Sequence, residues 1–173
     1  MDVPSYPQPL LITDAVVNTM PDLDEKRDIV RNAIDLARTL GVDPVLVAVL
    51  AAVENVSEKL PSTLDAAALS KMADRGQISG AIVDGPLALD DAISADAASE
   101  KGIVSTVAGR ANVLVVPNFE SGNMLAKALI LLAHSAAAGI VLGARVPIVL
   151  TSRADDVATH VASAAIARLL VRD

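Results

Sequence analysis

Short apolar runs alternate along this chain with longer stretches of helical spacing, and that alternation leaves few architectures open. Pro44-Val-Leu-Val-Ala-Val-Leu50 is the clearest of the runs. It is apolar at every position and rich in β-branched residues, which suits a strand buried on both faces of a parallel sheet. Leu10 to Asp14, Ala81 to Val83, Asn112 to Val116, Gly139 to Leu142 and Val146 to Leu150 read the same way, so all are expected as strands. Between them, Asp22 to Leu40 places Val30, Ala33, Ile34, Ala37 and Leu40 on one helical face, with Pro21 near its start and Gly41 at its end. A second helix is expected after Pro61, capped by Ser62 with Asp65 and burying Leu64, Ala68 and Met72 until Gly76. Further helices are expected from Asp90 or Ser94 to Lys101, and from Glu120 to Ser135, the latter burying Leu125, Ala128, Leu129 and Leu132. A last one starts at Ser152 and runs through Val157, Val161, Ala165 and Leu169. Strands and helices in this order predict an α/β fold: a mostly parallel sheet with helices on both faces, three layers in one domain over residues 1–173.

Composition narrows the function. Of the 173 residues 53% are hydrophobic, enough for a core and too many for a disordered chain. Lys and Arg number 14 against 21 Asp and Glu, a net charge of -7 that argues against nucleic acid or an acidic membrane as partner. Tyr6 and Phe119 are the only aromatic residues, too few for a base-stacking platform. The absence of cysteine removes disulfides, thiolate metal ligands and a cysteine nucleophile, and His134 and His160 cannot make a three-histidine zinc site. No metal site is expected. Met1 to Pro9 has neither the basic nor the apolar region of a secretory signal, so a cytoplasmic location is expected. Leu125 to Leu150 is long and apolar enough to span a bilayer, but Lys127, His134 and Arg145 interrupt it and Gly139, Gly143 and Pro147 break it. It reads as a buried helix followed by two buried strands.

Ligands of open α/β sheets gather at the carboxyl ends of the strands. The residues following the expected strands are Asp14 to Asn18, Glu54-Asn55, Asp84-Gly85-Pro86, Pro117-Asn118 with Ser121-Gly122-Asn123, and Thr151 to Asp156. No Walker A sequence or G-x-G-x-x-G follows a strand, so phosphate would have to be met by arginine and helix N-termini. Thr151-Ser152-Arg153 combines hydroxyls with a cation, the makings of an anion site. The same residues also read as a simple helix cap, with Asp155 and Asp156 complementing the helix dipole. Asp84-Gly85-Pro86 is a ligand loop or a turn alone. Gly122-Asn123 sits where a helix former would be cheaper, which signals close backbone approach or packing. His134 reads as a tucked core histidine and His160 as a solvated helix residue.

Four segments stand in fixed order: Asp84-Gly-Pro-Leu-Ala-Leu-Asp90-Asp-Ala92, Val107-Ala-Gly-Arg-Ala-Asn-Val-Leu-Val-Val-Pro117, Glu120-Ser-Gly-Asn-Met124 and Thr151-Ser-Arg-Ala-Asp155. In sequence, order and spacing they resemble the phosphate acetyltransferase/phosphate butyryltransferase family. Leu11 to Ala15 and Pro61 to Ala67 look closest to the branch described as bifunctional enoyl-CoA hydratase/phosphate acetyltransferase. The resemblance implies exchange of an acetyl or butyryl group between CoA and inorganic phosphate, giving acyl phosphate, with no cofactor beyond CoA or acyl-CoA as substrate. It also implies a fold like half of isocitrate dehydrogenase, a cleft between two domains and a homodimer. Family catalytic units are about twice this length, so the chain is expected to be the C-terminal half of one.

Carried over by position, Ser152 and Arg153 match a family motif whose serine and arginine face CoA and the phosphoryl group. An ungapped reading places Thr159 where the acetyltransferase branch has its acidic residue, so Asp155, with Asp156 behind it, is assigned the proton-accepting role. Asn118 stands where relatives often carry Asp. Asp84, Gly85, Pro86, Gly122, Asn123 and Thr151 are assigned to substrate binding. The alternative is a non-catalytic acyl-CoA-sensing or dimerisation module.

Overall fold

A computed structural model describes residues 1–171. Four strands, β1 (Leu11–Thr13), β2 (Leu46–Leu50), β3 (Ile82–Leu87) and β4 (Val113–Val115), form a parallel sheet in the order β1-β4-β2-β3. The helices are α1 (Leu23–Thr39), α2 (Pro61–Asp74), α3 (Leu89–Ile93), α4 (Ala95–Glu100), α5 (Phe119–Leu132) and α6 (Val157–Leu170). The chain steps across the sheet in one direction through α1 and α2, then back through α3 and α4. Right-handed crossovers therefore put these two groups on opposite faces. Strand alternation divides the core to match. Val45, Val47, Val49, Val113 and Val115 pack with Val30, Ile34, Ala66 and Leu69 of α1 and α2. Leu46, Ala48, Leu50, Leu114 and Val116 pack with Leu87, Ala92, Val107 and the half-buried Leu125 and Leu129 on the other side. The expected three-layer α/β fold is present.

Local chemistry explains several boundaries. Asp22 accepts from Glu25 N at 2.9 Å while Glu25 returns a carboxylate to Asp22 N at 2.8 Å, a reciprocal cap that starts α1. Gly41 and Gly76, with φ of +81° and +73°, end α1 and α2 where a side chain would be strained. The expected Ser62–Asp65 cap of α2 does not form: Leu60 is the cap residue, and Pro61 opens the helix. Asp65 instead meets Lys26 of α1 at 2.6 Å. The buried face of α2 carries Thr63, Ala66 and Leu69; of the expected Leu64, Ala68 and Met72, Met72 packs half-buried against the core, Ala68 is half-buried and Leu64 is exposed. Leu40 of the first helical face is likewise exposed.

The larger departures lie elsewhere. Asp84-Gly85-Pro86 is not a turn after β3 but part of it, since the strand continues to Leu87 with a register shift against β2. The segment from Asp90 to Lys101 is two short helices, because Ser94 caps the second through Ala97 N. α5 ends at Leu132, which is 81% exposed, and Ala128 also faces solvent. His134 is exposed at a φ of 51°, not tucked into a core. The last two apolar runs do not join the parallel sheet. They form a separate antiparallel pair, β5 (Ile140–Val141) with β6 (Ile148–Val149). On α6, Val157, Val161 and Leu169 are exposed and only Ser163 is buried. Neither hydrophobic cluster contains a residue beyond Ala133. Among the described residues no helix is long and apolar enough to cross a membrane.

Candidate active site

Asp14 sits just past the carboxyl end of β1. Its carboxylate accepts from Val16 N and Val17 N at 2.9 Å, Asn18 N at 2.8 Å and Asn18 Nδ2 at 2.7 Å. Partial burial opposes its charge, yet these four donors prevail and hold its pKa below the ordinary carboxylate value. The loop it ties down is the surface on which α5 begins. A Cβ on Gly122 would lie 2.9 Å from both Asp14 O and Ala15 Cα, and 2.7 Å from Val116 Cγ2. Asn123 Nδ2 donates to Ala15 O at 3.3 Å. Gly122 thus answers both sequence readings at once, because the backbone approaches closely and does so through packing. Asn118 caps α5 by accepting from Ser121 N at 3.0 Å.

The hairpin adjoins this end of β1. A cleft of about 90 Å³ lies between Thr13, Asp14 and Asn18 on one side and Ile140, Val141 and Leu142 on the other. Leu150 N donates to Gly139 O at 3.2 Å, and Gly139 N donates to Ser163 Oγ at 2.9 Å, so β5, β6 and α6 are stitched together. Thr151 to Asp156 follow directly. Ser152 does not cap α6; Asp156 does, accepting from Thr159 N at 2.8 Å. That bond, then one with the Thr159 side chain, lowers the Asp156 pKa.

Ser152 and Asp155 close a turn of their own. Ser152 N donates to Asp155 Oδ2 at 2.6 Å and Asp155 N donates to Ser152 O at 3.1 Å. Ala154 N donates to Ser152 Oγ at 3.3 Å. Arg153, at the exposed corner, makes no ion pair among the described residues. Thr151 Oγ1 lies 3.0 Å from His160 Nδ1. The turn thus presents hydroxyls and a free guanidinium to solvent, a combination suited to an anionic oxygen.

Asp84, Gly85 and Pro86 lie elsewhere. β3 and β1 are opposite edges of the sheet, three strand spacings or about 14 Å apart. Asp84 Oδ1 accepts from Gly85 N at 2.8 Å, and a Cβ on Gly85 would be 2.7 Å from Val49 O. Local packing accounts for both. Asp90 and Asp91 of the same motif both meet Lys101 at 2.8 Å. Sequence reasoning placed Asp14 among the residues following strands but did not select it. An aspartate directly after a buried apolar run, followed by Asn18, was the available signal.

A family model described as phosphate acetyl/butaryl transferase matches residues 2–168. The chain belongs to the phosphate acetyl/butyryltransferase family. It is 61% identical over 169 residues to a phosphate acetyltransferase of Rhizobium meliloti, covering 98% of this chain and 54% of that protein. It is 50% identical over 161 residues to a phosphate butyryltransferase of Clostridium acetobutylicum, covering 93% and 54%. The fold resembles a branched-chain phosphotransacylase from Enterococcus faecalis V583, with a TM-score of 0.85, 35% identity, and coverage of 97% of this chain and 60% of that one. The chain therefore spans about half the length of the curated phosphate acetyl/butyryltransferases it matches.

Proposed function

We propose that this chain serves the transfer of an acetyl or butyryl group between CoA and inorganic phosphate. The observation that carries this reading is the exposed Arg153, free of ion pairs among the described residues, beside Ser152 on a turn closed by Asp155. Arg153 holds phosphate through charge-assisted, bidentate hydrogen bonds. The Ser152 hydroxyl and neighbouring backbone N–H groups supply donors to the oxyanion that forms at the acyl carbonyl. Thr151, Gly122 and Asn123 bind substrate in this reading. Asp84 to Pro86, at the far edge, contribute only where a long CoA chain crosses the sheet end. Asp155, the sequence-based choice of proton acceptor, also positions Ser152 through its backbone. CoA, acyl-CoA and phosphate are substrates in this reading, and it requires no metal or prosthetic group. A cytoplasmic homodimer suits these substrates and the exposed apolar side chains of α6.

The test is thioester formation from acetyl phosphate or butyryl phosphate and CoA by this chain. In an active protein, Arg153→Gln lowers kcat/KM by about 10²–10³-fold, as the loss of one oxyanion donor does elsewhere. Unchanged turnover in that variant removes the role assigned to Arg153. A second reading, an acyl-CoA-sensing or dimerisation module, is favoured by the exposed Val157, Val161 and Leu169. CoA binding without turnover by the folded chain selects it.

A further inference from the structure

We propose that His160 is the proton acceptor for the CoA thiol, an assignment that rests on the acyl-transfer reading. His160 lies on the opening turns of α6, and its Nδ1 is 3.0 Å from Thr151 Oγ1, next in the chain to Ser152 and Arg153. With Nδ1–H donating to the Thr151 hydroxyl, Nε2 carries the free lone pair. The ring is exposed, and among the described residues Nε2 has no hydrogen-bond partner. The competing carboxylates each have one oxygen engaged in holding the turn or the helix start. Asp155 Oδ2 is held by Ser152 N at 2.6 Å, Asp156 Oδ1 by Thr159 N at 2.8 Å, and Thr159 carries no base. Among the described residues, His160 is thus the one imidazole whose acceptor atom opens to solvent beside the Ser152–Arg153 turn.

The step balances simply. The thiol S–H bond breaks and its proton passes to His160 Nε2. Sulfur attacks the acyl carbonyl, the bond from carbon to the phosphate oxygen breaks, and phosphate leaves with the electron pair. In the reverse direction, imidazolium returns the proton to the departing thiolate. Thr151 is a positioning residue that holds the ring in this tautomer.

A cysteine-free protein permits a direct test, because the bound CoA carries the only thiol. CoA is mixed with excess protein, its binding is measured by calorimetry, and alkylation of the bound thiol by iodoacetamide is timed at one neutral pH. In His160→Gln the rate falls by about 10²-fold, the low end of a general-base contribution, while CoA affinity stays within about twofold. Imidazole restores the rate in His160→Ala. Thr151→Val slows alkylation and Thr151→Ser recovers it, a rescue that a purely packing role would not need. Wild-type alkylation in His160→Gln overturns the assignment, as does loss of rate in Asp155→Asn with His160→Gln unaffected. Failure of the wild-type chain to bind CoA overturns the acyl-transfer reading, and this assignment with it.

Discussion

Lys101 Nζ lies 2.8 Å from Asp91 Oδ1, and Asp91 is wholly buried while Lys101 reaches solvent. The same ammonium meets Asp90 Oδ2 at 2.8 Å. The approach to Asp91 is close but off the angle of a hydrogen bond, and that oxygen has no other partner among the described residues. Asp91 Oδ2 accepts from Ala88 N at 3.3 Å at the start of α3. A buried carboxylate at the foot of β3 thus depends on a single cation brought by the end of α4.

Lys101→Met is therefore destabilising, because it strands a buried charge. The hydrogen bond with Asp90, then the close approach to Asp91, raises the Lys101 pKa above its ordinary value. A raised lysine contributes fully below the ordinary value and loses the contribution only as pH climbs through the raised one. The wild-type advantage in urea midpoint is expected to stay constant from pH 7 to about pH 10. A midpoint unchanged by the substitution at neutral pH contradicts this account.

The contact between Lys26 and Asp65 joins α1 to α2 at 2.6 Å, with Lys26 buried and Asp65 partly exposed. Asp65→Ala should cost about 1.5–3 kcal/mol, the range for a lost hydrogen bond to a charged group. Adding Lys26→Met should recover part of that loss, since the buried ammonium goes with it. Chemical denaturation of the two single variants and the double variant measures the coupling.

Gly122→Ala pushes a methyl to within 2.9 Å of the Asp14 carbonyl oxygen and 2.7 Å of Val116 Cγ2. Backbone cannot yield as a flexible side chain would, so about 1–3 kcal/mol of overpacking is expected. Thermal unfolding checks the loss. Displacement of α5 from the Asp14 loop would appear as faster amide exchange at Val16, Val17 and Asn18.

Asp14→Ala removes the acceptor for three backbone donors and should cost about 1–2 kcal/mol, by analogy with loss of a helix cap. Because its folded pKa is depressed, Asp14 contributes stability above its ordinary value and loses it as pH falls through the depressed one. Unfolding midpoints of wild type and Asp14→Ala should thus converge under acid conditions and separate toward neutrality. Parallel curves across that range would remove Asp14 as the source.

Strand alternation in Val45 to Leu50 and Val113 to Val116 made the parallel sheet legible, because a strand covered on both faces must be apolar at every position. The Gly41 and Gly76 stops were legible for the same local reason: positive φ favours glycine. Asp65 misled because its spacing from Ser62 fits a cap, and only the approach of Lys26 from another helix gave it a different partner. Asp84 to Pro86 misled because Gly-Pro usually marks a turn, whereas here the strand continues beside β2 with a register shift, and Gly85 has no side chain to meet Val49. For the candidate site, Thr151 to Asp155 and Gly122-Asn123 were readable as polar residues after strands, but their partners were not.

By itself, then, the sequence determined the α/β rhythm, the membership in an acyl-exchange family and the polar turn at Ser152 and Arg153. Each depends on neighbours within a few residues or on ordered motifs. Only the tertiary structure decided that Gly122 rests on Asp14, that His160 meets Thr151 and that β5 and β6 leave the parallel sheet. It also decided that the apolar stripe of α6 faces solvent. Helical periodicity specifies a face, but what covers that face is set by elements distant in sequence.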